Sequence, residues 1–288
     1  MFADRLAEVT KTRARQPGLV AAAAAARKRP AGPGGRLMLV AADHPARGTL
    51  RAGRQPLAMA NRADLLERLC LALSRPGVGG VLGTADVLED LLLLGVLDGK
   101  VVIGSMNRGG LAGTVFEIDD RFTGYDAAAI TRMHFDGGKM LLRIDPGDPA
   151  TAPAIQSCAH AVSALARRGR MAMIEPFLAH RVDGQLRNDL SAEAMIRAIG
   201  VASGLGGTSA YTWLKLPVVP DMARVMAATT LPALLLGGEV PDDPGQAFAG
   251  WQQALALPNV MGIVAGRSLL YPADGDVAAA VDTAVSLL

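Results

Sequence analysis

Short apolar runs alternate with longer amphipathic segments along most of this sequence of 288 residues. Such alternation is typical of strand–helix–strand units, which form parallel sheets covered by helices. Eight strands are predicted: Leu37–Ala42, Val78–Leu82, Val101–Ile103, Lys139–Ile144, Met171–Ile174, Tyr211–Leu216, Ala233–Leu236 and Val260–Val264. Seven helices are predicted: Ala63–Ser74, Ala85–Leu94, Pro153–Arg168, Ala192–Ser203, Met222–Ala227, Pro244–Ala256 and Asp274–Leu287. Eight strands with interleaved helices over this length favour a closed barrel over an open sheet, so we predict an α/β fold of the (β/α)8, or TIM-barrel, type.

The residues before the first strand are interpreted as an addition to the barrel. Up to about Arg29 the pattern indicates one or two helices, and Pro30–Gly35 is a break rich in proline and glycine. Half of the residues are hydrophobic, which supplies a large core, and barrels of about 250 residues commonly form one domain. We therefore expect one domain over residues 1–288, with residues 1–35 as an N-terminal helical extension.

Composition and motifs argue against several classes of function. The net charge of +2 is spread along the chain and aromatic residues make up 4%, so no nucleic-acid partner is expected. The sequence has neither a dinucleotide-binding nor a P-loop glycine motif after a strand. It also lacks a recognisable signal peptide and an apolar run of membrane-spanning length, so we expect a cytoplasmic protein with no membrane partner. Cys70 and Cys158 are expected to be buried free thiols, and no metal or other cofactor is expected because metal-ligand spacing is missing.

Charged residues at the carboxyl ends of predicted strands mark a candidate site, because active sites of barrels lie there. In the first strand, Asp43 follows Leu39 and Ala41 at intervals of two residues, so the three share one face. This parity predicts that Asp43 points into the barrel at its mouth. The alternative is that Asp43 caps a helix or lies in a loop.

The fourth predicted strand carries two cations on one face. Met140, Leu142 and Ile144 should face the helices, which leaves Lys139 and Arg143 pointing into the barrel. Burying a charged side chain in that position costs free energy unless it forms an ion pair or has a functional role. The alternative is that Lys139 precedes the strand and is solvated at the bottom of the barrel.

Two further charges end apolar strands. Glu175 closes the fifth predicted strand, and Pro176 after it is expected to stop the pairing. Lys215 lies one residue from the end of the sixth strand, within the run Trp-Leu-Lys-Leu-Pro. Either the ammonium group of such a lysine reaches solvent from the strand end, or the lysine is buried because it has a functional role.

These four residues together predict Schiff-base chemistry. A lysine nucleophile must be neutral to attack a carbonyl, and burial or a neighbouring cation lowers the pKa of an amine. We expect Lys139 to supply that cation beside Lys215. Asp43 and Glu175 would then move protons during carbinolamine formation, dehydration and cleavage of a carbon–carbon bond. The protonated imine is itself the electron sink.

The last two strands add a predicted phosphate site. Gly237 and Gly238 follow the seventh strand, and Gly266 and Arg267 follow the eighth. Barrels often bind phosphate at these loops, where glycine lets backbone N–H groups approach the anion and arginine adds a charged contact. Glycine after a strand is common in any fold, so the two motifs have weight only together.

With these landmarks the chain resembles the class I aldolases of the archaeal-type fructose-bisphosphate, tagatose-bisphosphate and deoxyribose-phosphate aldolase superfamily. The resemblance extends from Leu37 to about Pro272 and rests on Ala42-Asp43-His44, Asp136–Arg143, Ile174-Glu175-Pro176, Leu214-Lys215, Gly237-Gly238 and Gly266-Arg267. The order Asp, Lys, Glu, Lys is most similar to that of the tagatose-bisphosphate aldolases. The resemblance implies that Lys215 forms the Schiff base and that Lys139 is a second active-site lysine. It implies proton transfer by Asp43 and Glu175, and phosphate binding by the glycine–arginine loops.

Arg143 departs from the pattern of the related enzymes, and an extra cation predicts a substrate with a carboxylate or a second phosphate. The loop Met106–Gly110 is a further candidate for anion binding. The chain also resembles barrels associated with inositol catabolism, in which an aldolase splits 2-deoxy-5-keto-gluconate 6-phosphate into dihydroxyacetone phosphate and malonate semialdehyde. That substrate offers a carboxylate to Arg143 and a phosphate to Arg267.

Two other functions fit the same residues. One is a thiolase-like acyl transferase, which would require a CoA-dependent product. The other is a sugar-phosphate-binding regulator, which would tolerate the loss of Lys215, although a binding module needs no pair of buried lysines. The segment Asn107–Gly138 either closes over the site or packs as an extra hairpin, since it is too long for a simple connection. The expected partners are a small phosphorylated keto substrate and further copies of the chain in a homo-oligomer.

Overall fold

Eight parallel strands close into a barrel in the computed structural model, which describes residues 2–30, 35–238 and 244–288. The strands in chain order are β1 (Leu37–Ala41), β2 (Gly80–Gly83), β3 (Val101–Ser105), β4 (Gly137–Ile144), β5 (Met171–Val182), β6 (Gln185–Asn188), β7 (Thr212–Leu216), β8 (Ala233–Leu236) and β9 (Val260–Ala265). Each barrel strand pairs in parallel with the next, and the β1–β9 pairing closes the ring. Among the strands of the described residues, β6 alone lies outside the barrel, because it forms an antiparallel hairpin with the end of β5. The predicted TIM barrel is confirmed.

Helices cover the outside of the barrel. They are α1 (Phe2–Arg15), α2 (Gly18–Ala26), α3 (Arg62–Ser74), α4 (Ala85–Leu93), α5 (Ala127–Arg132), α6 (Thr151–Ala166), α7 (Ala192–Ser203), α8 (Met222–Met226), α9 (Pro244–Leu255), α10 (Arg267–Leu270) and α11 (Val277–Ser286). All seven predicted helices are present, with ends that differ by a few residues. None of the described helices is both long and apolar enough to cross a membrane.

The strands separate two apolar cores, as their alternating side chains require. Leu37, Leu39 and Ala41 belong to the small core inside the barrel. Met38 and Val40 belong to the large core between the strands and the helices. This confirms the parity on which the inward direction of Asp43 depends. Cys158 is buried as expected, whereas Cys70 is only partly buried, and both are free thiols.

The prediction that Pro176 stops the pairing of β5 is wrong, because the strand continues to Val182. The backbone nitrogen of Ala172 faces β7 and donates to the Tyr211 carbonyl, and Pro176 has the same parity. Pairing with β7 ends at Ile174, while pairing with β4 continues beyond Pro176. The proline nitrogen therefore lies on the side where β5 has no partner, and no ladder hydrogen bond is lost.

β4 begins at Gly137, two residues before the predicted start, so the alternative of a solvated Lys139 at the barrel bottom is wrong. A Cβ atom at Gly137 would lie 2.6 Å from the Met171 carbonyl oxygen, and one at Gly138 would lie 2.4 Å from the Met106 sulfur. The two glycines permit close packing inside a strand, although glycine pairs ordinarily indicate a turn.

The N-terminal extension is joined to the barrel bottom by a buried arginine. Nη1 of Arg27 donates to the Lys100 carbonyl at 2.7 Å, and Nη2 donates to the His134 carbonyl at 2.6 Å. Nη2 also pairs with Asp136 at 3.2 Å. The acceptors lie immediately before β3 and β4, at the end of the barrel opposite the candidate site. Within the predicted break, residues 31–34 lie outside the described residues.

We expect Arg27→Met to lower the free energy of unfolding by about 2–4 kcal/mol, because it leaves buried carbonyl oxygens without donors. Urea denaturation measures the loss. Lys28→Met is the matched control, since Lys28 is exposed beside it. Equal stability of the two variants would show that the extension does not depend on this contact.

Candidate active site

A cavity of about 350 Å³ opens at the carboxyl ends of the barrel strands. All four predicted catalytic residues line it: Asp43, Lys139, Glu175 and Lys215. Each of the four is between 2% and 8% exposed. The structure therefore brings together, in one buried place, charges that lie as far apart in the sequence as Asp43 and Lys215.

Glu175 lies between the two lysines. Lys215 Nζ is 2.7 Å from Glu175 Oε1, and Lys139 Nζ is 2.5 Å from Glu175 Oε2. Lys139 Nζ is also 3.4 Å from Asp43 Oδ2. The lysines thus share one carboxylate, so that Glu175 can exchange a proton with either amine.

Strand register produces this arrangement. Ile174 pairs with Leu214, so Glu175 and Lys215 are neighbours on adjacent strands and point the same way. Leu141 pairs with Glu175, so Lys139 lies two residues earlier on the same face of β4. The close contacts follow from the backbone pairing.

Charge pairing decides the protonation of the two carboxylates. Burial alone would raise the pKa of Glu175, but Lys139 and Lys215 lower it to about 2. Burial would also raise the pKa of Asp43, but Lys139 and Arg108 hold it well below its usual range. Both carboxylates are therefore ionised at neutral pH. Burial lowers the pKa of Lys139, although Asp43 and Glu175 oppose the shift.

Arg108 contacts Asp43 and was not among the predicted site residues. Arg108 Nη1 is 3.0 Å from Asp43 Oδ2, and the Ser105 hydroxyl donates to the same oxygen at 3.1 Å. The neighbouring Asn107 accepts from the Leu141 N–H and donates to the Leu141 carbonyl, so it is clamped to β4. The only sequence signal was the loop Met106–Gly110, interpreted as an anion site, in which Arg108 instead binds a carboxylate of the protein.

Arg143 lies at the cavity, as its position on β4 predicts, and it also has an ion-pair partner within the protein. Its Nη1 is 2.9 Å from Oε1 of Glu117, which lies in the long segment after β3. In the same way Arg47 forms an ion pair with Asp120 and donates to the carbonyl of Asn107. Ion pairs between distant segments have no local sequence signature, so the parity of β4 could not reveal them.

The segment between β3 and β4 packs against the barrel mouth and contributes Arg108 to the cavity wall. The contacts of Asn107, Arg108, Glu117 and Asp120 join it to the barrel mouth. Apart from α5, it contains only an isolated bridge between Asn107 and Phe122. The alternative of an extra hairpin is not what the structure contains.

The predicted phosphate loops lie on the same cavity, which Gly237, Gly238, Gly266 and Arg267 all line. Gly238 has a φ of 66°, which favours glycine. A Cβ atom at Gly266 would lie 2.4 Å from the Ala41 carbonyl oxygen, so only glycine fits there. These loops follow β8 and β9, across the barrel from Arg108 and Arg143.

His44 is a further cavity residue that parity did not select. Burial lowers its pKa to about 3, so the imidazole is neutral at physiological pH. It follows Asp43 directly, and its ring lies against Gly266. Among the described residues, no group of three His, Cys, Asp or Glu side chains is placed to hold a metal ion.

Comparison with solved structures shows that two fructose-1,6-bisphosphate aldolases share this barrel fold. A Schiff base forming fructose-1,6-bisphosphate aldolase is similar with a TM-score of 0.65 and 16% identity, over 88% of this chain and 94% of that chain. An archaeal fructose 1,6-bisphosphate aldolase has a TM-score of 0.64 and 16% identity, over 88% and 93% of the two chains. At such identities the likeness concerns the fold alone.

The chain belongs to the Cgl0159-like family, whose profile matches residues 35–285. The crystal structure of Cgl0159 from Corynebacterium glutamicum (Brevibacterium flavum) is 51% identical in sequence and has a TM-score of 0.96. The match covers 99% of this chain and 96% of that chain. No curated protein matches the sequence.

The lowered pKa of Glu175 predicts a pH-dependent stability. A carboxylate whose pKa falls on folding contributes stability above its unfolded pKa, here 4.5, and loses it as the pH falls towards 2. We expect Glu175→Gln to lower the free energy of unfolding by about 3 kcal/mol at neutral pH. The difference from the unmodified protein should narrow below about pH 4.5.

Urea denaturation from neutral pH to the lowest pH at which both proteins fold measures this difference. Glu193→Gln is the control, because Glu193 pairs with Arg224 on the surface and its loss should have no measurable effect. A Glu175→Gln difference that stays constant with pH would contradict the assignment of an ionised, lysine-bound Glu175.

Proposed function

We propose that this protein is a class I aldolase in which Lys215 forms a Schiff base with a phosphorylated keto sugar or sugar acid. The observation that carries the proposal is the buried Lys215–Glu175–Lys139 group at the barrel mouth. An enzyme that attacks a carbonyl with an amine needs a proton acceptor in contact with that amine, and Glu175 fills this position.

The chemistry assigns one task to each group. Lys215 Nζ attacks the carbonyl carbon of the substrate, and the carbinolamine loses water to give the imine. A base then removes the proton of the hydroxyl group β to the imine carbon. The carbon–carbon bond breaks, its electron pair moves into the imine to form an enamine, and an aldehyde leaves. Protonation of the enamine and hydrolysis release the second product and restore the amine. Glu175 and Asp43 are the candidates for these proton transfers, because both lie within 3.4 Å of a lysine Nζ.

Two sides of the cavity suit the two ends of such a substrate. Arg267 and the glycines beside it support phosphate binding at one side. Arg143 supports binding of a carboxylate or second phosphate at the other, where Glu117 holds its guanidinium in place. One substrate with both groups is 2-deoxy-5-keto-gluconate 6-phosphate, whose cleavage gives dihydroxyacetone phosphate and malonate semialdehyde. We propose this substrate, and with it a role in inositol catabolism.

Borohydride reduction in the presence of substrate tests the proposal. We expect mass spectrometry to find a covalent adduct on Lys215 when the protein is reduced with keto-sugar and keto-acid phosphates. Lys215→Met should abolish both the adduct and turnover, because no other amine occupies that position, and should leave the fold intact by circular dichroism.

Lys100→Met is the matched control. Lys100 is a partly buried lysine that donates to the Val78 carbonyl at the other end of the barrel, so its loss should change neither trapping nor turnover. Turnover with an unmodified Lys215 would refute the Schiff base. A CoA-dependent product without retro-aldol cleavage would favour acyl transfer, and phosphate binding without any turnover would favour a regulator.

A further inference from the structure

Five buried side chains of alternating charge lie in a row across the barrel mouth. In order they are Lys215, Glu175, Lys139, Asp43 and Arg108, and we call this set the charge row. Its successive contacts are 2.7, 2.5, 3.4 and 3.0 Å long. The row begins on β7 and ends in the loop after β3, so it crosses the site from one wall to the other.

The net charge of the charge row is not zero when every member is ionised. Glu175 and Asp43 carry two negative charges, while Lys139, Lys215 and Arg108 carry three positive charges. Without Arg108 the two lysines and two carboxylates would be neutral as a group. With Arg108 the group has one positive charge in excess, which the loss of one lysine proton removes.

The other charged groups around the row, within residues 2–30, 35–238 and 244–288, do not cancel this excess. Arg47 is matched by Asp120, and Arg143 is matched by Glu117. His44, beside Asp43, is neutral because burial lowers its pKa to about 3. The positive charge of Arg267 opposes protonation of the His44 imidazole.

Arg108 is suited to hold this charge permanently. A guanidinium stays protonated in proteins, whereas a lysine at the same place could lose its proton. Arg108 is 7% exposed, and its Nε and Nη2 find no hydrogen-bond acceptor among the described residues. Its backbone N–H donates to the Arg121 carbonyl at 3.2 Å, which ties its position to the folded segment after β3.

We propose that Arg108 promotes the loss of one proton from the Lys139–Lys215 pair, by supplying the surplus positive charge of the charge row. The proton leaves to solvent through the cavity, and no other bond changes. Glu175 contacts both amines, so either lysine can be the one that gives up the proton. Arg108 acts through Asp43 and Lys139 and is therefore a positioning residue. The inference rests on the proposed function, because the neutral form of a lysine is the one that attacks a carbonyl.

Competitive labelling with acetic anhydride measures the effect without any substrate. The reagent acylates neutral amines only, and the sequence has five lysines, at positions 11, 28, 100, 139 and 215. Labelling is followed by mass spectrometry between about pH 6 and pH 11. Lys11 and Lys28 are exposed and serve as internal references. The pair Lys139 and Lys215 should begin to label at lower pH than the references.

Arg108→Met should raise the labelling midpoint of the pair by about one pH unit, because it removes the nearest surplus charge. Arg108→Lys should keep the midpoint within a few tenths of a unit as long as its ammonium is charged. An unchanged midpoint in Arg108→Met, or an equal rise in Arg108→Lys, would overturn the proposal. The second outcome would mean that Arg108 acts by packing and not by charge.

Asp43→Asn keeps the test decisive if Arg108→Met does not fold. It changes the charge of the row in the opposite direction, so the midpoint should fall, and combining the two substitutions should bring it back towards that of the unmodified protein. A midpoint that does not fall would overturn the inference. If the midpoints shift as expected but no carbonyl compound is trapped, the proposed aldolase function is refuted and the inference about Arg108 stands. Trapping of a carbonyl compound on Lys215 without these midpoint shifts would support the aldolase function and overturn the inference about Arg108.

Discussion

The contact of Glu175 with two lysines at once is the interaction on which the candidate site depends. An ionised carboxylate inside a barrel is costly, and so is each lysine, unless opposite charges lie within hydrogen-bonding distance. Glu175 satisfies both amines with its two oxygens. Its position follows from the pairing of β5 with β4 and β7, so the geometry depends on the closed barrel rather than on mobile loops. A site built on strands in this way can hold an amine ready for reaction.

Arginine–carboxylate pairs perform a different task, which is to attach the long segment after β3 to the barrel. Arg47 binds Asp120, Arg143 binds Glu117, and Arg108 binds Asp43. Because a guanidinium is planar and always charged, it can organise a loop that has little regular structure of its own. In the third pair the loop supplies the cation and the barrel supplies the carboxylate. Through Arg108 the segment also places a positive charge in the wall of the site.

Local pattern sufficed where a residue's environment depends on its own strand. The inward direction of Asp43 and Lys139 followed from alternation with apolar neighbours, and the helices followed from their spacing. Pattern failed where a second segment decides the outcome. Pro176 was expected to end a strand, but its nitrogen lies on the unpaired side of β5. Gly137 and Gly138 were expected to precede β4, but they are its first two residues. Glycine is needed there because a side chain at either position would collide with Met171 or Met106. The roles of Arg108 and Arg143 depend on partners that no spacing rule connects to them.

The amino-acid sequence by itself determined the barrel, the order of its strands and the charged residues that point into its mouth, since period-two alternation sorts side chains between an inner and an outer face. Only the tertiary structure decided which of those charges touch. The register between strands sets whether Glu175 meets one lysine or two, and the course of the β3–β4 segment sets where Arg108 adds its charge. Coulomb interactions depend on distances in space, and residues far apart in sequence acquire such distances only when the barrel closes.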